Sequence, residues 1–111
     1  MQIAQQESNG ITVLALSGRI DATVAEVFKE KILAAIGDKP LRLLLDFAKV
    51  EFISSIGLRV LVVAAKRLAA VRGKLLFCGL EGPVREVFEL AGFTSVATVF
   101  PSREAALASP T

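Results

Sequence analysis

The sequence predicts an α/β domain in which about four helices pack on a mixed β-sheet. Two observations predict this fold class. Short apolar runs typical of strands alternate with longer segments whose apolar residues recur at the spacing of a helix. The chain of 111 residues is also long enough to bury a core without a metal ion or a disulfide. The predicted order of elements is β-β-α-β-α-β-α-β-α, in one domain over residues 1–111.

The first two strands are predicted to form a hairpin. They cover residues 3–8 and 11–16, and the dipeptide Asn9-Gly10 between them is suited to a tight turn.

A helix and a buried strand are predicted to follow the hairpin. Apolar residues recur at helical spacing over residues 24–36, and Gly37 stops the pattern. Residues 21–23 supply candidates for the N-cap, Asp21 among them. The continuous apolar run at residues 41–47 then predicts a strand that is buried on both faces.

The second half of the chain predicts three helices and two strands. In chain order these are a helix from about Ser55 to Val71, a strand over 74–78, a helix over 84–90, a strand over 96–100 and a helix over 102–108. Pro83 suits the first turn of the third helix and Gly92 suits its end, while Ser102 can cap the last helix.

Composition argues against membrane insertion and against nucleic acid as a direct partner. No apolar stretch reaches the ~18 uncharged residues of a membrane span. The 13 basic and 11 acidic residues nearly balance, and Trp and Tyr are absent, so a basic surface with stacking platforms is not expected. Residues 1–7 lack the basic and apolar segments of a secretion signal, and we therefore expect a cytoplasmic protein.

The residues also indicate a protein that is not an enzyme. The chain has no histidine, its carboxylates form no paired motif, and no phosphate-binding glycine loop occurs. The one cysteine, Cys78, lies in an apolar strand and is expected to be a small buried hydrophobe. We expect no catalytic residue, no metal site and no cofactor.

Ser54 and Ser55 stand where a strand-like apolar run ends and the second helix begins. Free N–H groups and the positive end of the helix dipole favour an anion at that position, so a serine there can carry a phosphate. The alternative is that both serines simply cap the helix.

The segment 46–58 resembles the phosphorylation-site signature of the STAS family, in particular the SpoIIAA-like anti-anti-sigma factors. That signature reads as an aromatic or aliphatic residue, Asp or Ser, Ser, a small residue, Gly and Leu. The resemblance places the phospho-acceptor on Ser55, with Ser54 as the alternative. Ser54 stands where the family often has Asp, and Ile56 where it usually has a small residue. The order of elements also matches, which implies the STAS fold with a mostly parallel sheet over the whole chain.

A second segment, 18–21, resembles the family's Gly-x-Leu/Ile-Asp sequence, which lies near the phospho-acceptor and helps to bind the partner kinase. The resemblance therefore implies a partner-binding role for Asp21, beside its possible role as N-cap of the first helix.

The resemblance implies an anti-sigma factor antagonist. Its unmodified form would bind an anti-sigma factor that is also a serine kinase, which frees a sigma factor. Phosphorylation would end that binding, and a serine phosphatase would restore it. The alternative is an accessory STAS subunit of a phospholipid-transport ATPase, in which Ser55 would be a cap within a permanent interface. A nucleotide-binding sensor is disfavoured because no phosphate-binding glycine loop is present.

Helical geometry predicts a docking surface beside Ser55. At about 100° per residue, Arg59, Val62 and Lys66 fall within about 40° of Ser55. We expect another side of the helix to pack on the sheet; it consists of Leu58, Leu61, Ala65, Leu68 and Ala69, extended by Val60, Ala64 and Val71.

Three residues at the start of this helix, Ser54, Ile56 and Gly57, are also counted with the partner-binding residues. Gly57 costs the helix about 1 kcal/mol relative to Ala, so a close approach by the sheet or by a partner must explain it.

Overall fold

The computed structural model describes residues 1–93 and 97–110. Within these described residues, five strands form one sheet in the order β1-β2-β3-β4-β5. Only the β1–β2 pair is antiparallel; the three other pairs are parallel. The strands are β1 (Gln2–Ser8), β2 (Ile11–Ile20), β3 (Arg42–Ile53), β4 (Lys74–Cys78) and β5 (Thr98–Phe100).

Four helices alternate with these strands in the described part of the chain. They are α1 (Ala25–Ile36), α2 (Ser55–Ala70), α3 (Gly82–Leu90) and α4 (Arg103–Leu107). The predicted fold class and element order are confirmed. The predicted last strand began at Val96, which lies outside the described residues.

The hairpin turn forms as its sequence predicts. Asn9 and Gly10 have φ angles of 52° and 75°, the left-handed conformation that both central residues of a type I′ turn adopt.

Strands β2 and β3 are longer than their apolar runs predicted. After a register shift between Ala15 and Ser17, the two strands pair again until Ile20 lies opposite Ile53. Asp46, near the end of the predicted strand, therefore lies in the middle of β3. Its Oδ1 accepts a hydrogen bond of 2.9 Å from the Ala48 N–H just before pairing resumes. Backbone pairing between β2 and β3 therefore extends both strands into polar segments whose sequence has no pattern typical of a strand.

The main core lies between the sheet and helices α1, α2 and α3. Four phenylalanines pack edge-on at its centre: Phe47 and Phe77 come from the sheet, Phe88 from α3, and Phe93 follows α3. The ring centroids of Phe77 and Phe88 are 5.0 Å apart at nearly a right angle, a favoured geometry for aromatic pairs.

Helix α4 covers the opposite face of the sheet. There Ala106 packs on a second apolar cluster that β2, β3 and β4 supply. An ion pair of 2.9 Å joins Arg103 Nε to Asp46 Oδ2 beside this cluster, and Arg42 donates to carbonyl oxygens of Ser109 and Pro110. Residues 43–47 of β3 are therefore buried on both faces, as their continuous apolar run predicted, and residues 75–78 of β4 are buried in the same way.

Gly57 is explained by the sheet. A Cβ atom on this buried residue would lie 2.9 Å from side-chain carbons of both Ile20 and Ile53, and 3.1 Å from the Ile20 carbonyl oxygen. Only a residue without a side chain lets the first turn of α2 rest on the paired ends of β2 and β3.

We predict that Gly57→Ala lowers the free energy of unfolding by about 1 kcal/mol. Overpacking typically costs about 1–3 kcal/mol, and the higher helix propensity of Ala returns up to about 1 kcal/mol of it. Urea denaturation measures the difference. Ile56→Ala is the control, because it truncates an exposed neighbour and should stay within about 0.5 kcal/mol of wild type. A Gly57→Ala variant as stable as wild type would contradict the packing explanation.

Candidate functional site

Ser54 is the N-cap of α2. Its backbone is extended, and its Oγ accepts a hydrogen bond of 3.1 Å from the Gly57 N–H. Its own N–H donates to the carbonyl oxygen of Ile20 at 2.8 Å. The hydroxyl of Ser54 therefore caps the helix, and its N–H attaches the start of the helix to the end of β2.

Ser55 is the first residue of α2, and its side chain is exposed. None of the described residues forms a hydrogen bond with its hydroxyl. The two adjacent serines therefore differ, because one is engaged as a cap and the other presents a free hydroxyl at the positive end of the helix dipole.

The three residues predicted to lie beside Ser55 on α2 share its exposed side, and their role in docking stays a prediction. Arg59, Val62 and Lys66 are exposed, and Val62 has 40% of its area accessible. Neither Arg59 nor Lys66 has an ion-pair partner among the described residues. The row of Ser55, Arg59, Val62 and Lys66 is called the docking stripe below.

The buried side of α2 lies directly opposite the docking stripe and is rotated from its predicted position. The buried residues are Gly57, Val60, Leu61, Ala64 and Leu68. Ala69 was expected to pack on the sheet, but it is exposed, and Leu58 and Ala65 are only half-buried. The reason is that α2 also packs against α1, which draws the centre of the contact towards Val60 and Ala64.

Ile56 adds an exposed apolar side chain beside Ser55, with 42% of its area accessible. It lines a shallow groove between α2 and α1, together with Arg59 and Val63. The other wall holds the ion pair between Lys29 and Glu26, whose charged atoms are 3.1 Å apart. The α1 wall of this groove was not foreseen from the sequence, since a helical pattern does not reveal which helices are neighbours.

Asp21 lies next to the start of α2, because Ile20 accepts the Ser54 N–H. One interpretation of the sequence made Asp21 the N-cap of α1. That interpretation is wrong, because Val24 occupies the N-cap position. Instead Asp21 Oδ1 accepts hydrogen bonds from the hydroxyl of Thr23 at 2.6 Å and from its N–H at 3.0 Å. The hydroxyl bond is the largest cause that lowers the pKa of Asp21, and the charge of Arg19 adds to it.

Arg19 and Phe52 flank the same end of the sheet. The Arg19 guanidinium carbon lies 4.4 Å from the centre of the Phe52 ring, a cation–π contact between exposed side chains of β2 and β3. No sequence pattern indicated this pair, which depends on the extended register of the two strands.

Cys78 is fully buried, as predicted. The pKa of its thiol is raised to about 12, mainly by burial in the apolar cluster under α4 and also by the neighbouring Asp46 carboxylate. Among residues 1–93 and 97–110, no three His, Cys, Asp or Glu side chains gather as metal ligands would. No helix in this part of the chain is long and apolar enough to cross a membrane.

The chain belongs to the STAS domain family, whose model matches residues 2–106. The chain is 38% identical over 109 residues to BtrV of Bordetella bronchiseptica, which is described as a candidate anti-sigma factor antagonist. That match covers 98% of this chain and 94% of BtrV. The family that the segment around Ser54 and Ser55 indicated is thus confirmed.

Solved structures confirm the fold. An anti-sigma factor antagonist from Mycobacterium paratuberculosis superposes with a TM-score of 0.84 at 28% identity, covering 96% of this chain and 90% of that one. The unphosphorylated form of the anti-sigma factor antagonist SpoIIAA superposes with a TM-score of 0.72 at 20% identity, covering 93% and 91%. At that identity the likeness to SpoIIAA shows the fold alone.

We predict that Cys78 resists thiol reagents in the folded protein at pH 8. With a pKa of about 12 and no access to solvent, the thiol remains protonated and shielded. Labelling by a chromogenic disulfide should be slow in buffer and complete within minutes in urea. An Ala70→Cys variant is the control, because it adds an exposed thiol on α2 that should react at once.

The same pKa predicts a loss of stability at high pH. Below pH 9 the thiol is protonated in both the folded and the unfolded protein. Above pH 9 it ionises only in the unfolded chain, so the contribution of Cys78 to stability falls between about pH 9 and 12.

In the labelling experiment, rapid reaction of Cys78 in the native protein, without global unfolding, would contradict its assignment as buried.

Proposed function

We propose that this protein is an anti-sigma factor antagonist that phosphorylation of Ser55 switches off. The unmodified form binds an anti-sigma factor that is also a serine kinase, and this binding frees a sigma factor. A serine phosphatase returns the protein to its binding form. The names of relatives that match almost the full chain favour this role over that of a transport ATPase subunit.

The difference between the two serines carries the proposal. Ser55 presents an exposed hydroxyl, while the Ser54 hydroxyl is held by the Gly57 N–H. A kinase can therefore reach Ser55 without breaking the cap of α2. In the reaction the Ser55 oxygen bonds to the γ-phosphorus of ATP as the bond to ADP breaks, and the hydroxyl proton passes to a base of the kinase.

The charge of the phosphate accounts for the release of the partner. It adds about −1.5 to −2 charges at the edge of the docking stripe, and this charge would have to lose its water in an interface. Inside the free protein the same charge lies at the positive end of α2, where the dipole and the free N–H groups stabilise it. Phosphorylation therefore disfavours the complex and leaves the fold intact.

Asp21 completes the proposed partner-binding surface. Its Thr23 contacts hold the carboxylate in place and lower its pKa, and the carboxylate is ionised at neutral pH as an ordinary aspartate is. The surface beside Ser55 thus offers one fixed anion from the loop before α1 and two cations from α2.

We expect a serine kinase anti-sigma factor of the source organism, incubated with this protein and ATP, to modify Ser55. Peptide mapping by mass spectrometry locates the phosphate. Ser55→Ala should abolish modification, while the control Ser54→Ala should still be modified and lose about 0.5–2 kcal/mol of stability with its cap. Phosphate on Ser54 alone, or undiminished modification of Ser55→Ala, would refute the assignment.

The same variants test the switch. Ser55→Asp should bind this anti-sigma factor at least ten-fold more weakly than Ser55→Ala, as measured by calorimetry, although Asp carries less charge than a phosphate. Equal affinity of phosphorylated and unmodified protein would refute the charge mechanism.

We predict that Arg59→Glu, Val62→Asp and Lys66→Glu each weaken binding of the anti-sigma factor while the melting temperature changes little. These residues are exposed, and surface substitutions typically shift stability by no more than about 0.5 kcal/mol. Leu61→Ala is the contrasting variant: it empties a fully buried position and should cost roughly 2–5 kcal/mol. Wild-type affinity in all three stripe variants would exclude the docking stripe.

A further inference from the structure

An apolar groove of about 350 Å³ runs beside the docking stripe, between α2 and the segment that follows α3. Its α2 wall consists of Val62, Ala65, Lys66 and Ala69, and its other wall of Ala91, Gly92 and Phe93.

The groove owes its depth to small side chains. Ala65 and Ala69 on one wall and Ala91 on the other leave space between the two elements, and the buried Phe93 ring closes one side. The rotation of α2 towards α1 contributes, because it turns Ala69 away from the sheet. An apolar depression at the surface is a feature that interfaces use to hold a large apolar side chain.

Among the described residues that line the groove, Lys66 alone is charged. It forms no ion pair with any described residue, and it lies at the edge that the groove shares with the docking stripe. An occupant that brings a carboxylate to this edge would meet a complementary charge.

We propose that the groove receives a large apolar side chain of the anti-sigma factor, flanked by a carboxylate that pairs with Lys66. The inference rests on the proposed function and names the chemistry of the partner at this end of the interface. Val62 and Lys66 belong to both surfaces, so one partner helix or loop can cover the stripe and fill the groove together.

The groove lies far from the phosphorylation site along the helix. Eleven residues separate Ser55 from Lys66, which is about 16 Å at the rise of an α-helix. The groove therefore supplies binding energy without touching the reacting hydroxyl. Loss of such uniform binding raises KM for phosphorylation and leaves kcat unchanged.

Ala69→Trp tests the groove by filling it. The probe is the purified serine kinase anti-sigma factor of the source organism. We expect its affinity to fall at least ten-fold and KM for phosphorylation to rise with kcat unchanged. Ala70→Trp is the matched control, because it makes the same change one residue later, at an exposed position outside the groove. It should bind within two-fold of wild type.

Lys66 is tested by charge reversal against a distant cation. Lys66→Glu should weaken binding at least ten-fold and reduce the salt dependence of affinity, whereas Lys39→Glu, an exposed change in the loop between α1 and β3, should not.

Should Ala69→Trp fail to fold, Ala91→Trp replaces it as the test of the groove, because it fills the groove from its other wall.

The outcomes separate this inference from the proposed function. Wild-type protein that does not bind the kinase removes both. If the wild-type protein binds the kinase and Ala69→Trp binds it with nearly the same affinity, only the inference about the groove is refuted. If Ala69→Trp abolishes a self-association seen by sedimentation and leaves kinase binding intact, the occupant is a second copy of this chain and the inference is wrong.

Discussion

The contact between the first turn of α2 and the paired ends of β2 and β3 positions every part of the candidate site. Ser54 donates to the Ile20 carbonyl oxygen, and Gly57 lets the helix rest on Ile20 and Ile53 without a clash. This contact directs the Ser55 hydroxyl outward and brings Asp21 beside the helix start. A side chain at position 57 would push the helix from the strands and displace the docking stripe with it.

The sheet beneath this contact is held from both sides. Phenylalanines pack it against α1, α2 and α3, while α4 covers the other face with the help of the Asp46–Arg103 ion pair. Close-packed protein interiors resist gradual deformation. A frame of this kind suits a switch that works by charge, since a phosphate at its surface changes what can bind without changing the frame.

The partner surface that we propose combines two physical contributions along α2. Near Ser55 the charges of Asp21 and Arg59 and the helix dipole make binding sensitive to phosphorylation. Near Lys66 the apolar groove offers binding energy that a distant phosphate leaves largely unaffected, because exposed charges about 16 Å apart are well screened at physiological salt. Sensitivity and affinity can therefore be changed separately by substitution.

The sequence by itself determined the order of elements, the buried strands β3 and β4, the exposed face of α2 and the position of the two serines, because these depend on local periodicity and on residues close in the chain. Only the tertiary structure decided which serine caps the helix, that Asp21 turns towards Thr23, that β3 continues to Ile53 and that Ala69 faces solvent. It also decided the pairing of Asp46 with Arg103, which are 57 residues apart, and the groove between α2 and the segment that follows α3. Each of these depends on which elements become neighbours, and the spacing of apolar residues within one element carries no information about the element packed beside it.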